Sequence, residues 1–478
     1  EISCSLVGSE MCIRDRNIVM RKTIYAKMTA LPVGLCALAF AVTSCGSSEY
    51  KKFADNEGKQ VASILRENDC LACHSENAPL PFYGNLPLIG PVVQADMKEA
   101  VHYVDLTAMV EALENGQPVS EVDLAKVENT ALSGSMPPAK YSHMPMHWGT
   151  SLDDNEKAVI ISWAKNVRKD RFTTETVAEE FKNEPLQPLM KSLPTDPAKV
   201  ELGFALYHDT RLSADNTISC ATCHGLNTGG VDRKQYSEGI NGQFGGVNAP
   251  TVYNAALNFV QFWDGRAADL KEQAAGPPLN PVEMGCTSFD QICEALAQDK
   301  DFTKKFTEVY PEGYSQSTIT DAIAEFEKTL LTPSRFDKYL MGDKNALTAE
   351  ELEGYQLFKD NKCATCHVGV NVGGQSYEFM GIKNSYFDYR NTGLTDGDNG
   401  RYAVTKKESD RHKFKTPTLR NVMLTYPYMH DGTVASVEDA IRIMHEFQIG
   451  KEINDVEVEK IVVFLGTLNG EYNGKMLQ

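Results

Sequence analysis

Cys220-Ala-Thr-Cys223-His224 decides the fold, and the stretch it opens runs through Phe262-Trp263-Asp-Gly-Arg266 to Asn280-Pro-Val-Glu283. A Cys-x-x-Cys-His unit is the attachment signature of a c-type haem: two thiols bond the porphyrin vinyls and the histidine binds the iron. The same unit recurs at Cys70–His74 and Cys363–His367. With twelve cysteines and ten histidines in 478 residues, chance supplies about 0.006 such matches. A zinc site or a thioredoxin-like pair does not account for three pairs, each with its own adjacent histidine. The chain therefore reads as three repeats of one haem module.

Helical signals surround each motif. Thr348-Ala-Glu-Glu351 is a capping box, followed by Leu352, Tyr355 and Phe358 at helical spacing. Pro197 marks a helix start before the second motif, with Val200, Phe204 and Tyr207 expected on its buried stripe; Val61, Ile64 and Leu65 serve before the first. Closing helices are expected after Ser151-Leu-Asp-Asp154, with Val159, Ile160, Trp163 and Val167 facing in, and over Val458–Leu468. Strand signals are sparse. The expected class is all-α: three cytochrome c-like domains, the two C-terminal ones packed as one unit.

The net charge of −18 excludes nucleic acid and an electrostatically held membrane surface as partners. Residues 1–19, with Cys4 and Cys12, read as a non-native scar, and residues 20–45 as a lipoprotein-type signal peptide. Met20, Arg21, Lys22 and Lys27 form its basic start, Leu31–Val42 its apolar core, and Cys45 the lipidated residue; ordinary secretion with Cys45 inert is the alternative. Either way the mature chain is exported. Cys286 and Cys293, seven apart, are expected to form a local disulfide. The remaining boundaries are an N-terminal haem domain at 46–168, a linker at 169–195, and haem domains at 196–336 and 337–478. The first haem takes His74 and, as second ligand, Met136 of Gly134-Ser-Met-Pro-Pro138; His102, His143, Met144, Met146 and His147 compete.

From Leu202 onward the motifs accumulate: Asn248-Ala-Pro, Gln261-Phe-Trp-Asp-Gly-Arg266, Gln273-Ala-Ala-Gly-Pro277, Asn280-Pro-Val-Glu-Met-Gly285, Phe414-Lys-Thr-Pro-Thr-Leu-Arg-Asn421 and Pro427-Tyr-Met-His-Asp-Gly432. This series resembles the bacterial di-haem cytochrome c peroxidases, relatives of the tryptophan-modifying enzyme of methylamine metabolism. Residues 73–83 and Met136-Pro-Pro138 resemble small haem-binding domains fused to periplasmic enzymes, with Pro81-Phe-Tyr in place of the commoner Pro-Trp-Tyr.

The resemblance implies roles. The haem on Cys220, Cys223 and His224 is the peroxidatic one, with Gln273 and Glu283 on its distal side. Glu283 also suits the chemistry independently, because splitting a peroxide O–O bond needs a base that takes a proton and returns it. The haem on Cys363, Cys366 and His367 is the electron donor, with Met444 as second ligand and His445 as the spare. A tyrosine at this position marks the methylamine branch, so Met444 favours simple peroxide reduction. Trp263 relays electrons between the two haems, and calcium is held by Asn248, Thr425 and Pro427. Many members carry a capping histidine eight residues before the asparagine that matches Asn248; Ile240 stands there, so an iron site open without reductive activation is expected. The implied protein is a periplasmic peroxidase with three covalent haems c, fed by a small cytochrome c, a cupredoxin or a quinol. A homodimer stays open. The alternatives are a protein-modifying di-haem oxidase and a non-catalytic multi-haem electron carrier.

Overall fold

Capping chemistry sets the helices beside the haem motifs. The Thr348 hydroxyl accepts from the Glu351 N–H, and the Glu351 carboxylate accepts from the Thr348 N–H at 2.8 Å, opening the Ala349–Asp360 helix. Asp196 caps Pro197–Tyr207, and Asn56 caps Glu57–Glu67. This computed structural model describes residues 48–142, 151–390 and 392–478, so Cys45 and the competitors His143, Met144, Met146 and His147 lie outside the described residues. Helix makes up 51% of the described residues. Among the described residues the strands form two short antiparallel pairs, Tyr377–Phe379 with Lys413–Lys415 and Glu471–Tyr472 with Lys475–Met476. No described helix is long and apolar enough to cross a membrane.

The chain divides into two compact units, one ending at Val167 and the other running from Arg168 to Gln478. In the first, Val61, Ile64 and Leu65 are buried along the Glu57–Glu67 helix, as are Ile160 and Trp163 on the closing helix. The Asn166 amide donates to the Glu57 carboxylate at 3.0 Å, which lays the closing helix along the first.

In the second unit, glycines fix two helix crossings. A Cβ at Gly203 would lie 1.9 Å from the Ala322 carbonyl oxygen, so the Pro197–Tyr207 helix rides directly on the Gln316–Glu327 backbone. This rotates the expected stripe. Leu202, Leu206 and Tyr207 are buried, whereas Phe204 is 50% exposed, because the close approach at Gly203 chooses the face. Gly354 does the same in the next module, where a Cβ would lie 2.0 Å from the Lys460 carbonyl oxygen. Cys286 and Cys293 are free thiols rather than the expected disulfide. The Cys286 sulfur is turned to the Leu212 carbonyl at 3.4 Å, and both cysteines pack among apolar side chains.

The two modules share one interior. Asn254 exchanges two hydrogen bonds with Thr332, and the Thr332 hydroxyl also accepts from Asn421 at 2.9 Å. The stretch before Pro197 belongs here too: Leu186 is wholly buried among Phe336, Tyr355 and Phe464, and the Leu189 N–H donates to Asp337 at 2.8 Å.

Glu327, at the end of its helix, is buried with Oε2 lacking any partner. Burial alone pushes its carboxyl up to about 8, and Tyr207 and Cys220 beside it bring no positive charge. The unfolded chain releases this proton near 4.5 while the folded chain keeps it to about 8. Stability is therefore expected to fall by about 1.4 kcal/mol per pH unit across that window. Glu327→Gln should flatten that slope in denaturation midpoints measured between pH 5 and 8. A slope as steep as that of the parent chain would contradict the assignment.

Candidate active site

Each motif presents its histidine from a short helical turn. Ser219 and Thr222 form a capping box around Cys220–Cys223, and the Tyr207 hydroxyl donates to the His224 carbonyl at 2.5 Å. Burial lowers the pKa of the His224 imidazole, partly offset by the nearby Gly230 and Pro250 carbonyls, and its buried Nδ1 makes no hydrogen bond among the described residues. His367 is pushed down to about 4 in the same way, and its ring faces the carbonyls of Val372 and Pro417. A Cβ at Gly373 (φ +125°) would lie 2.2 Å from the Pro417 oxygen and 3.1 Å from His367 Nδ1. Only a residue without a Cβ fits between that carbonyl and the imidazole, whose Nδ1 is buried and makes no hydrogen bond among the described residues. In the first unit the His74 Nδ1 contacts the Val104 carbonyl at 3.0 Å. Cys70, Cys220 and Cys363 are each pushed up to about 12, chiefly by burial. Thiols held neutral in apolar slots suit thioether bonds to haem and not a zinc–thiolate centre. The donor set fits haem c.

Glu283 stands close to the second motif, near enough that its charge bears on Cys223. Its carboxylate accepts from the Asn280 amide at 2.8 Å. Burial raises its pKa, and Arg266 and the Asn280 bond partly offset that rise. The Ile240 N–H donates to the Glu283 carbonyl at 2.9 Å. The Ile240 side chain is buried against Gly285, where a Cβ would lie 2.0 Å from its Cδ1. The residue at the capping position thus braces the acid's main chain. Gln273 is half-buried on the Leu270–Ala274 helix, and its side chain makes no hydrogen bond among the described residues.

Trp263 lies at the junction of the two modules. Its indole N–H donates to the Asn248 carbonyl at 2.8 Å, and its own carbonyl accepts from the Lys415 N–H at 2.8 Å. Its ring meets that of His430 edge-on, 6.4 Å between centroids. The Asn248 N–H donates to the His430 carbonyl at 2.8 Å, and the Asn248 amide donates to the Lys234 carbonyl at 2.9 Å. Thr425 and Pro427 lie on the loop that leads into His430. Oxygen donors of this kind fit a hard cation.

Met444 ends the Val437–Met444 helix and packs beside Tyr386, Ile443 and Phe447. A π-type turn, His445–Ile449, follows it. His445 has both ring nitrogens engaged: Nδ1 with the Lys451 carbonyl and Nε2 with Asn361 Oδ1, each at 2.8 Å. The second contact ties the Met444 turn to the residues just before Cys363. Met136 is half-buried in the turn after Gly134, and His102 is half-buried on the Gly90–Tyr103 helix.

Residues 197–345 match the family described as di-haem cytochrome c peroxidase, 352–469 cytochrome c, and 38–166 a haem-binding domain. The chain is 49% identical to cytochrome c peroxidase Ccp of Escherichia coli (strain K12) over 424 residues, 88% of this chain and 90% of the relative. The chain belongs to the di-haem cytochrome c peroxidase family. The cytochrome c551 peroxidase of Nitrosomonas europaea is likewise 49% identical, covering 60% of this chain and 85% of its own. The methylamine utilization protein MauG of Methylorubrum extorquens is more distant, at 32% over 59% of this chain and 82% of its own. Among solved structures, a MauG-like protein associated with microbial copper homeostasis superposes with a TM-score of 0.52 at 25% identity. It covers 59% of this chain and 94% of its own.

Sequence reasoning missed the polar cluster that carries the family's Met-His-Asp-Gly loop. Arg390 bridges Asp398 at 2.7 Å and Asp431 at 2.6 Å, and His430 Nε2 contacts Asp398 at 2.7 Å, all of them buried. Arg390 pairs with both carboxylates, offsetting one of their two charges, and holds the Asp398 carboxyl well below the usual range against its burial, so the cluster braces this loop as a scaffold. Asp431 adjoins His430 in sequence and could have been suspected; nothing local marks Arg390 or Asp398.

Proposed function

We propose a three-haem peroxidase that reduces hydrogen peroxide to two waters, drawing two electrons one at a time from a small cytochrome c. The chain is a cytochrome c peroxidase of its family, and the observation that carries the finer reading is the half-buried Glu283 beside the second haem motif. When bound, the haem on Cys220, Cys223 and His224 supplies the iron at which peroxide is reduced. Glu283, with its pKa raised and its carboxylate oriented by Asn280, takes a proton from one peroxide oxygen and delivers it to the other. The uncommitted Gln273 amide orients the substrate. Trp263, pinned at both its indole and its carbonyl, marks the crossing point from the Cys363–His367 module, where His367 and Met444 hold the second haem.

His74 and Met136 would hold a third haem on Cys70 and Cys73, which would supply the entry point for electrons from the donor; a cupredoxin or a quinol would serve as well. Calcium at Asn248, Thr425 and Pro427 stiffens the junction. The protein is periplasmic and tethered through a lipid on Cys45. Peroxide-dependent oxidation of a reduced cytochrome c by the haem-loaded protein tests the activity, and a chain that only exchanges electrons would show none. With Ile240 buried against Gly285, nothing at the capping position ligates iron. The fully oxidised protein is therefore expected to show one high-spin haem by visible and EPR spectroscopy. A spectrum with every haem low-spin would contradict the open site.

A further inference from the structure

Lys415 ends the Lys413–Lys415 strand opposite Tyr377 and is only 4% exposed. The cations around it are all accounted for. Lys413 pairs with Asp410 at 3.2 Å, and Arg401 donates to the Gly265 carbonyl at 2.7 Å. Lys415 Nζ has no carboxylate and no hydrogen-bond acceptor among the described residues, and burial alone pushes its pKa down to about 8. An ammonium on so largely buried a residue, with no counter-charge beside it, is unfavourable. Its position says where the counter-charge comes from. The Lys415 N–H is bound to the Trp263 carbonyl at 2.8 Å, and two residues later the Pro417 carbonyl faces His367. The strand therefore runs between the relay indole and the proximal face of the last haem site. A haem c brings two propionate carboxylates on the edge opposite its thioether bonds.

From this placement we infer that Lys415 pairs through Nζ with a haem propionate at the junction of the two C-terminal modules. It is a positioning residue: it anchors a haem edge beside Trp263 and places a positive charge that favours the reduced iron. The inference rests on the haem assignments made above, which the haem content of the wild-type holoprotein tests separately.

The measurement is a potentiometric titration of the holoprotein followed by visible absorption, for the wild type, Lys415→Gln and Lys415→Arg. Removing the positive charge should shift the ferric–ferrous equilibrium of one haem in this unit about tenfold toward ferric, about 59 mV for a one-electron couple. Lys415→Arg should keep the wild-type value. A shift in the low-spin, Met444-linked haem assigns the propionate to the Cys363–His367 group. A shift in the other C-terminal haem assigns it to the Cys220–His224 group. Unchanged potentials in Lys415→Gln, or loss of haem from both variants alike, would overturn the inference and leave Lys415 a packing residue.

Discussion

Glu283→Gln is expected to lower kcat for peroxide reduction by about 10²- to 10⁴-fold, the usual contribution of a general acid–base group. The substitution keeps shape and volume, and the Asn280 amide can still donate to the new side-chain oxygen at the 2.8 Å contact. What is lost is the ability to accept a proton and return it, so haem content and midpoint potentials should stay at wild-type values. The pH profile separates this role from a structural one. Burial raises the Glu283 pKa, so the basic form is gained at higher pH than for an exposed carboxylate. In the wild type, kcat/KM should fall as pH drops through that raised value; in Glu283→Gln this acid limb should vanish. Arg266 opposes the rise, and Arg266→Gln should move the limb to still higher pH. Wild-type turnover in Glu283→Gln would remove the carboxylate from the proton path.

The haem modules were legible because haem attachment is a covalent requirement written in adjacent residues. Cys-x-x-Cys-His cannot be built from distant parts, and the capping box at Thr348–Glu351 is equally local. Helix orientation was less legible. The stripe through Val200, Phe204 and Tyr207 satisfies helical periodicity, but Gly203, invisible to a hydrophobic pattern, selects the neighbouring face by admitting the Ala322 carbonyl. The Cys286–Cys293 spacing suggested a bond, yet the Cys286 sulfur is oriented by the Leu212 carbonyl, 74 residues away. His445 shows the converse. As a sequence neighbour of Met444 it could not be separated from it, and only its contacts with Lys451 and Asn361 tell the two side chains apart. Long-range polar pairing, as in Arg390 with Asp398 and Asp431, leaves no local signature at all.

The same holds for the pair whose loss should cost the fold most. Arg420 and Asp337 meet through two bonds of 2.9 Å, with side chains 0% and 1% exposed. Arg420 also donates to the Val370 carbonyl at 2.6 Å and the Gln187 carbonyl at 3.2 Å. Asp337 accepts from the Ser334 N–H at 2.7 Å and the Leu189 N–H at 2.8 Å. One buried ion pair thus gathers the 185–189 stretch, the start of the Arg335–Leu340 helix and the Asn421 region into the interior that both C-terminal modules share. Asp337→Ala leaves a guanidinium charged, dry and uncompensated, and should destabilise this unit by about 3–5 kcal/mol. Arg420→Met should cost a similar amount by stranding the carboxylate. Because each single change is dominated by the partner left behind, the double variant Asp337→Ala/Arg420→Met should lose clearly less than the sum of the two. Denaturant midpoints for the unfolding of the C-terminal unit, measured for all four proteins at one pH, give the coupling directly. Simple additivity would mean that the two residues stabilise separate regions, and that the shared interior is held chiefly by the contacts of Asn254, Thr332 and Asn421.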